Sequence, residues 1–316
     1  MNAAAFAEAR RRLETKDRSL RDKRTSLAAA AERVTDGAHV AIGGCLYSRT
    51  PMALVREVLR LRRVRLTLSR NLMCYEAELA MVAGACRELV TSWIGIGLPW
   101  GLSRIVREFV EGGEVRLEEW SHLAMGLRYH AAAMGVPFLP TFSMLGSDLL
   151  ATARAKAMAC PFTGEQVCLV PALFPDVALI HVHRADPFGN AQIDGYPHMD
   201  ADIASAASCV VLSAERIVDT EEIRRSADRT VIPFFCVDAV VEAPYGAYPH
   251  ECYGAYEADL DHIGGYARRV AGEGPAAVRA YLADYVYGPD TFDAYLERFG
   301  PDRVRRQRQA AQDLLA

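Results

Sequence analysis

The stretch Val177–His183, Val-Ala-Leu-Ile-His-Val-His, restricts the fold more than any other part of the chain. A nearly continuous apolar run of this length is how a strand covered on both faces appears, and such strands belong to sheets with helices on either side. Its neighbours agree with it. Short apolar runs at His39–Ile42, Val64–Ser69, Leu89–Ile94, Val115–Glu119, Gln166–Pro171, Cys209–Ser213 and Val237–Glu242 alternate with helical patterns at Met52–Leu59, Tyr75–Ala83, His122–Met134 and Asp200–Ala207. This alternation predicts an α/β fold: an open, mainly parallel sheet with helices on both faces, followed by a C-terminal helical segment from about residue 263. Residues 1–22, rich in Ala, Arg, Glu and Leu, read as an N-terminal helical extension, and residues 23–316 as the domain itself.

Half of the residues are hydrophobic and the formal net charge is −4. A nucleic-acid binder needs a concentrated basic face, so that class is disfavoured. The arginine clusters lie near the two ends, Arg10–Arg24 and Arg303–Arg308, where solvated helix faces account for them. The eight cysteines contain no Cys-x-x-Cys pair, which leaves no visible disulfide or metal framework and points to a reduced, cytoplasmic protein. No apolar run reaches the ~18 residues of a membrane helix.

Several stretches carry candidate chemistry. In Val115–Glu119 the period of two places Glu119 on the same apolar face as Val115 and Leu117. Ser121 is a good helix N-cap, which puts His122 at the first helical position, where the helix N-terminus disfavours an imidazolium. Gly135 and Pro137 end that helix. Glu119, Ser121 and His122 thus share a strand-to-helix corner, the place where open α/β sheets hold ligands. The simpler alternative is a cap, a surface histidine and a glutamate paired with Arg128. Gly43-Gly44 follows a strand and precedes a helix opened by Pro51, so bare backbone amides can approach an anion there, and Arg49 beside them could grip a carboxylate or phosphate. Phe142–Ala159 reads as a loop that can move. His181 and His183 share one strand face, but a metal pair there lacks a third ligand. The segment 243–254, with Tyr245 and Tyr253, is too long and aromatic for a connector and reads as the lining of a site or an interface.

Taken in order, these motifs are similar to those of a known family. They are Ile42-Gly43-Gly44 with Arg49 and Pro51, Glu118-Glu119-Trp120-Ser121-His122, Gly135 to Pro140, and Pro161-Phe-Thr-Gly-Glu165. The series continues with Pro175 to Val182, Ala185 to Asn190, and Val237 to Gly254. From about Lys23 to the C-terminal helices, the chain resembles the A-type subunits of the glutaconate-type, class I CoA-transferases. The resemblance implies a homologous B-type subunit, usually in an A2B2 heterotetramer. It also implies acyl transfer through a glutamyl-CoA thioester, with coenzyme A as a substrate and no permanently bound cofactor, metal, nucleic acid or membrane. The nucleophilic glutamate of the family lies in a Glu-Ser-Gly or Glu-Asn-Gly motif of the B-type subunit, and this chain has neither tripeptide. On this expectation the chain supplies pocket walls: Gly43, Gly44, Arg49, Ser121, Tyr245 and Tyr253 as substrate contacts, and Glu119 and His122 as the groups nearest the chemistry. The alternative is a thioester hydrolase or decarboxylase on the same fold, with Glu119 and His122 as its acid and base.

Overall fold

The computed structural model describes residues 3–315, apart from the side chain of Leu98. A nine-stranded sheet forms its centre. Seven strands, β1 (His39–Ile42), β2 (Leu66–Ser69), β3 (Cys86–Thr91), β4 (Arg116–Glu119), β5 (Val177–Ala185), β6 (Cys209–Ile217) and β7 (Ala239–Glu242), run parallel in the order β7-β6-β5-β1-β2-β3-β4. Ala191–Gln192 and Thr230–Ile232 extend the sheet antiparallel from the end of β5. The mainly parallel α/β architecture is the one expected from the sequence.

Alternation along each strand sends side chains into two cores. Val40, Ile42, Val177, Leu179 and Val211 face one layer, built by helices α2 (Met52–Arg60) and α3 (Tyr75–Val82) and the C-terminal helices. Ala41, Ala178, Ile180, Val182, Val210 and Leu212 face the other, with Trp120, Tyr129 and Ile203 from the region of α4 (His122–Ala133) and α5 (Asp200–Ala206). Every residue of Val177–Val182 is buried, as the continuous apolar run requires. The C-terminal segment begins with α6 (Leu260–Glu273) and ends with α7 (Pro301–Leu315). The N-terminal helix α1 (Ala3–Glu14) buries none of its residues and touches the body through Phe6 on Phe174 and Arg12 on Asp176.

Two expectations change. Phe142–Ala159 is not a plain loop, since it contains a short helix, Leu149–Thr152, and a strand, Lys156–Ala159. That strand pairs with Gln166–Pro171, which pairs with Phe138–Thr141, so Gln166–Pro171 belongs to a separate antiparallel sheet. All four residues of Lys156–Ala159 are exposed, which leaves no apolar alternation for the sequence to display. Among the described residues no helix is long and apolar enough to cross a membrane.

From β1 the chain proceeds to β2, β3 and β4 on one side, whereas β5, β6 and β7 fill the other. The order reverses between β1 and β5, and a crevice at the C-terminal ends of the strands at such a switch is the usual place for a ligand.

Candidate functional site

Gly43 and Gly44 leave β1 at this switch. A Cβ on Gly44, whose φ is +68°, would stand 2.1 Å from the Ser48 carbonyl, and one on Gly43 would press on Asp200 and Ile180. The turn does bind an anion, but the anion belongs to the protein: Gly44 N donates to Asp200 Oδ1 at 2.7 Å. Arg49 completes the arrangement. Its guanidinium donates to Asp200 Oδ2 at 2.5 Å, to the His181 carbonyl at 3.0 Å and to the Tyr196 carbonyl at 2.8 Å. Both partners are sealed from solvent, with side-chain exposures of 1% and 0%. The expectation that Arg49 grips a substrate carboxylate is therefore corrected: it neutralises Asp200 inside the fold, and Gly43 and Gly44 are needed for close packing around that pair.

The β4-to-α4 corner also departs from expectation. Glu119 is exposed, and the buried carboxylate is Glu118. Its oxygens accept from Arg128 at 2.9 Å and Trp120 Nε1 at 2.9 Å and form an ion pair with Arg154 at 2.9 Å, and Arg128 lies 4.1 Å from the Trp120 ring centre. Burial opposes the charge of Glu118, but Arg128, Trp120 and Arg154 outweigh it and hold the carboxyl below its ordinary range. Val115 and Leu117 set the expected parity, yet β4 is an edge strand whose end emerges from the cover on that face, while Glu118 points under α4. The glutamate paired with Arg128 is accordingly Glu118.

Ser121 is the N-cap, accepting from Ala124 N at 3.1 Å, and its hydroxyl also meets Ser143 Oγ at 2.6 Å. His122 is exposed on the rim, with Nε2 2.9 Å from Asn71 Nδ2. Asn71 follows β2 and is itself held by Ser92, whose Oγ lies 2.9 Å from Asn71 Oδ1. With the amide donating, His122 Nε2 is the acceptor and Nδ1 carries the hydrogen. His198, in the loop before α5, lies within electrostatic reach of His122. Lost hydration first, then the guanidiniums of Arg49 and Arg70 and the His122 ring, lower its pKa from the ordinary imidazole value. Cys45 lies in the same rim, and burial raises its thiol pKa, which opposes a ready thiolate.

Tyr245 and Tyr253 lie elsewhere, in a cleft of about 590 Å³ at the ends of β5 and β6, lined also by His183, Glu215 and Arg308. Its floor is Glu215. Oε1 of that residue meets His181 Nε2 at 2.7 Å and accepts from Tyr256 OH at 2.7 Å, and Oε2 accepts from Tyr245 N at 2.8 Å. Burial opposes its ionisation, but these donors prevail and keep the carboxyl below its usual range. The larger cavity, about 810 Å³ under the N-terminal helix, includes Asp176 and Ser208, which precede β5 and β6, so it opens at the opposite end of the strands from the switch. The structure thus puts Gly43, Gly44 and Arg49 at the switch, Ser121 and His122 after the edge strand β4 with His122 reaching Asn71 beyond β2, and Tyr245 and Tyr253 in a neighbouring cleft. The loop between Asp194 and His198 separates the switch from that cleft, with Tyr253 packed on Gly195 and Tyr196 bound to Arg49.

Residues 24–243 match the model of the family described as coenzyme A transferase, which is well over half of the chain. The chain belongs to the coenzyme A transferase family. The A-type subunit of glutaconate CoA-transferase from Acidaminococcus fermentans is 33% identical to it over 293 residues, 87% of this chain and 91% of the relative. The crystal structure of glutaconate coenzyme A-transferase from that organism superposes with a TM-score of 0.85 at 32% identity, covering 90% of this chain and 95% of the other. An uncharacterized protein of Archaeoglobus fulgidus is 41% identical over 290 residues, which are 91% of this chain but only 64% of the relative's length. Within the family, this chain is similar to A-type subunits.

The residues that sequence reasoning missed are Asn71, Glu118, His198 and Asp200. Asp200 carried a weak signal, an acid at a helix start, but nothing in the sequence tied it to Gly44 or Arg49. Asn71 stands two residues after the run Val64–Ser69, near the position from which a strand delivers side chains to the switch.

Proposed function

We propose that this chain is the A-type half of a two-chain CoA-transferase that moves coenzyme A between an acyl-CoA and a carboxylic acid, with the nucleophilic glutamate supplied by a B-type partner. The observation that carries the reading is the state of the acids at the C-terminal edge of the sheet. Glu76, Glu118, Asp200 and Glu215 are each bound by an arginine, a histidine or a backbone amide of the chain itself. What the edge presents outward, apart from the exposed Glu119 at the end of the edge strand β4, is a different set: the His122 and His198 imidazoles, the Asn71–Ser92 pair behind them and the Cys45–Ser48 turn. Such groups can hold and orient an acyl carbonyl, while the covalent step needs a carboxylate that is free to attack.

In this mechanism the partner's carboxylate attacks the acyl-CoA carbonyl and expels the CoA thiolate. The mixed anhydride so formed is attacked in turn by that thiolate, which releases the carboxylic acid and leaves the glutamyl thioester. The second acid then reverses the sequence. Asn71 and His122 line the acyl side, and the Arg49–Asp200 pair fixes the turn that shapes its floor. Similarity to a glutaconate enzyme supports a dicarboxylic acyl group. The buried Arg49 is not the group that would select it. Exposure of Glu119 removes the argument from an apolar pocket that supported the acid–base alternative.

Co-expression with a B-type chain, incubation with acyl-CoA and borohydride reduction tests the proposal. The label is expected in the B-type chain, with CoA moved to an added carboxylate. Reduction located in this chain, or release of free CoA to water in place of transfer, would refute it.

A further inference from the structure

The corner after β2 carries Cys74 and Glu76 into the core beneath the segment 248–253, which brings His250 to the same place. All three are sealed from solvent, at 1%, 1% and 0% exposure, and one ligand atom from each lies within 4.8 Å of the others. Nothing in the proposed transfer uses them.

The hydrogen bonds around the cluster fix its lone pairs. Thr50 Oγ1 is 3.0 Å from the Leu46 carbonyl, receives Arg70 at 2.9 Å and bonds to His250 Nδ1. A carbonyl only accepts, so the single hydroxyl proton of Thr50 goes to Leu46, and His250 Nδ1 must be the protonated nitrogen that donates to Thr50. His250 Nε2 is then a bare acceptor, and it has no hydrogen-bond partner among the described residues. Glu76 Oε1 accepts from Arg70 at 2.6 Å and from Cys74 N at 2.9 Å, whereas Glu76 Oε2 is buried and also without a partner. A buried acceptor left this way has lost its water without gaining a partner, which destabilises the fold. Two unpartnered acceptors and a sulfur in one buried cluster call for a cation or a donor among them.

We propose that Cys74, Glu76 and His250 supply three ligands to one buried divalent ion of the zinc type, with a water in the fourth position. A sulfur, an imidazole nitrogen and a carboxylate oxygen together favour a borderline-soft ion over magnesium or calcium, which prefer oxygen. Binding displaces the Cys74 thiol proton, which now points to the Ile96 carbonyl at 3.6 Å, so thiolate and carboxylate balance the two charges of the ion. Thr50 holds the His250 ring in the ligating tautomer, and Arg70 orients Glu76. The second cluster of this kind, His181, Glu215 and Cys252, differs because both nitrogens of His181 are already engaged, by Ser213 and Glu215. The ion would pin segment 248–253 to the β2 corner. Through the bond from Arg49 N to the Glu251 carbonyl at 2.9 Å, it would also steady the turn at the switch.

The test uses the full chain, co-purified with any partner from zinc-supplemented culture and dialysed. Elemental analysis is expected to give about one zinc per chain, and X-ray absorption a shell of sulfur, nitrogen and oxygen. Cys74→Ser should lose the sulfur scatterer and most of the metal, and Thr50→Val should weaken zinc affinity about 10- to 100-fold. Wild-type protein decides the matter even if the variants fail to fold. Metal below about a tenth of an equivalent, both as purified and after refolding with zinc, overturns the proposal in favour of a bridging water. A full equivalent without sulfur in its shell overturns it as well.

Discussion

Replacing Asp200 by alanine should damage this protein more than almost any other single truncation. Asp200 joins Gly44 N at 2.7 Å to the Arg49 guanidinium at 2.5 Å, and the pair is closed to solvent, so screening does not reduce its worth. Asp200→Ala leaves a guanidinium and an amide in the interior with the opposing charge gone. Breaking one side of a buried ion pair costs about 3–5 kcal/mol. At roughly 2–4 °C per kcal/mol for a chain of this size class, the melting temperature should fall by roughly 6–20 °C. Urea denaturation of Asp200→Ala, Arg49→Met and the double variant measures this directly. The double variant should lose less than the sum of the singles by at least ~1 kcal/mol, because the second truncation removes the orphan left by the first. Assayed with its partner, Arg49→Met should impair dicarboxylate and monocarboxylate acceptors alike. Additive losses, a cost for Asp200→Ala below ~1 kcal/mol, or a KM effect confined to dicarboxylates would each refute the internal role of Arg49.

Glu118→Gln should lower stability at neutral pH. A carboxyl held below its ordinary 4.5 stabilises the fold above that value and loses its contribution as pH falls through the folded pKa. The gap between variant and wild type in thermal melts should therefore close below about pH 4.5. His183 is lowered to about 4, chiefly by burial, with Nε2 2.8 Å from the Tyr253 carbonyl and Nδ1 accepting from Asp194 N at 3.1 Å. The unfolded state takes up that proton first, so stability should fall as pH drops from about 6.5 toward 4, and His183→Gln should flatten the slope measured by denaturation across that window. Ser121→Ala removes the cap of α4 and should cost about 1 kcal/mol in chemical denaturation. Asn71→Ala frees the His122 ring and should lower kcat of the complex more than it lowers the melting temperature; a loss of stability with unchanged kcat would place Asn71 in the scaffold alone.

Much of the scaffold was legible because local rules coincide with the tertiary result. Ser121 caps, Gly135 takes a positive φ after α4, and Val177–Val182 is buried throughout. The candidate site was less legible. Arg49 and the Gly43-Gly44 turn form a ready anion site by local chemistry, but whether that anion comes from a ligand or from Asp200 depends on a residue far along the chain. The parity at Glu118 and Glu119 failed for a related reason. Alternation sorts side chains into two faces, and at the end of an edge strand only the neighbouring layers decide which face is covered.

The sequence by itself determined the alternating α/β order and the ordered motifs of the family, because periodicity, caps and turn glycines act over a few residues. Tertiary structure alone decided the reversal of strand order between β1 and β5, the capture of Arg49 by Asp200, the separation of Tyr245 and Tyr253 from His122, and the meeting of His250 with Cys74 and Glu76. Each of these is a long-range pairing, and a pairing energy exists only once packing has brought both partners out of water.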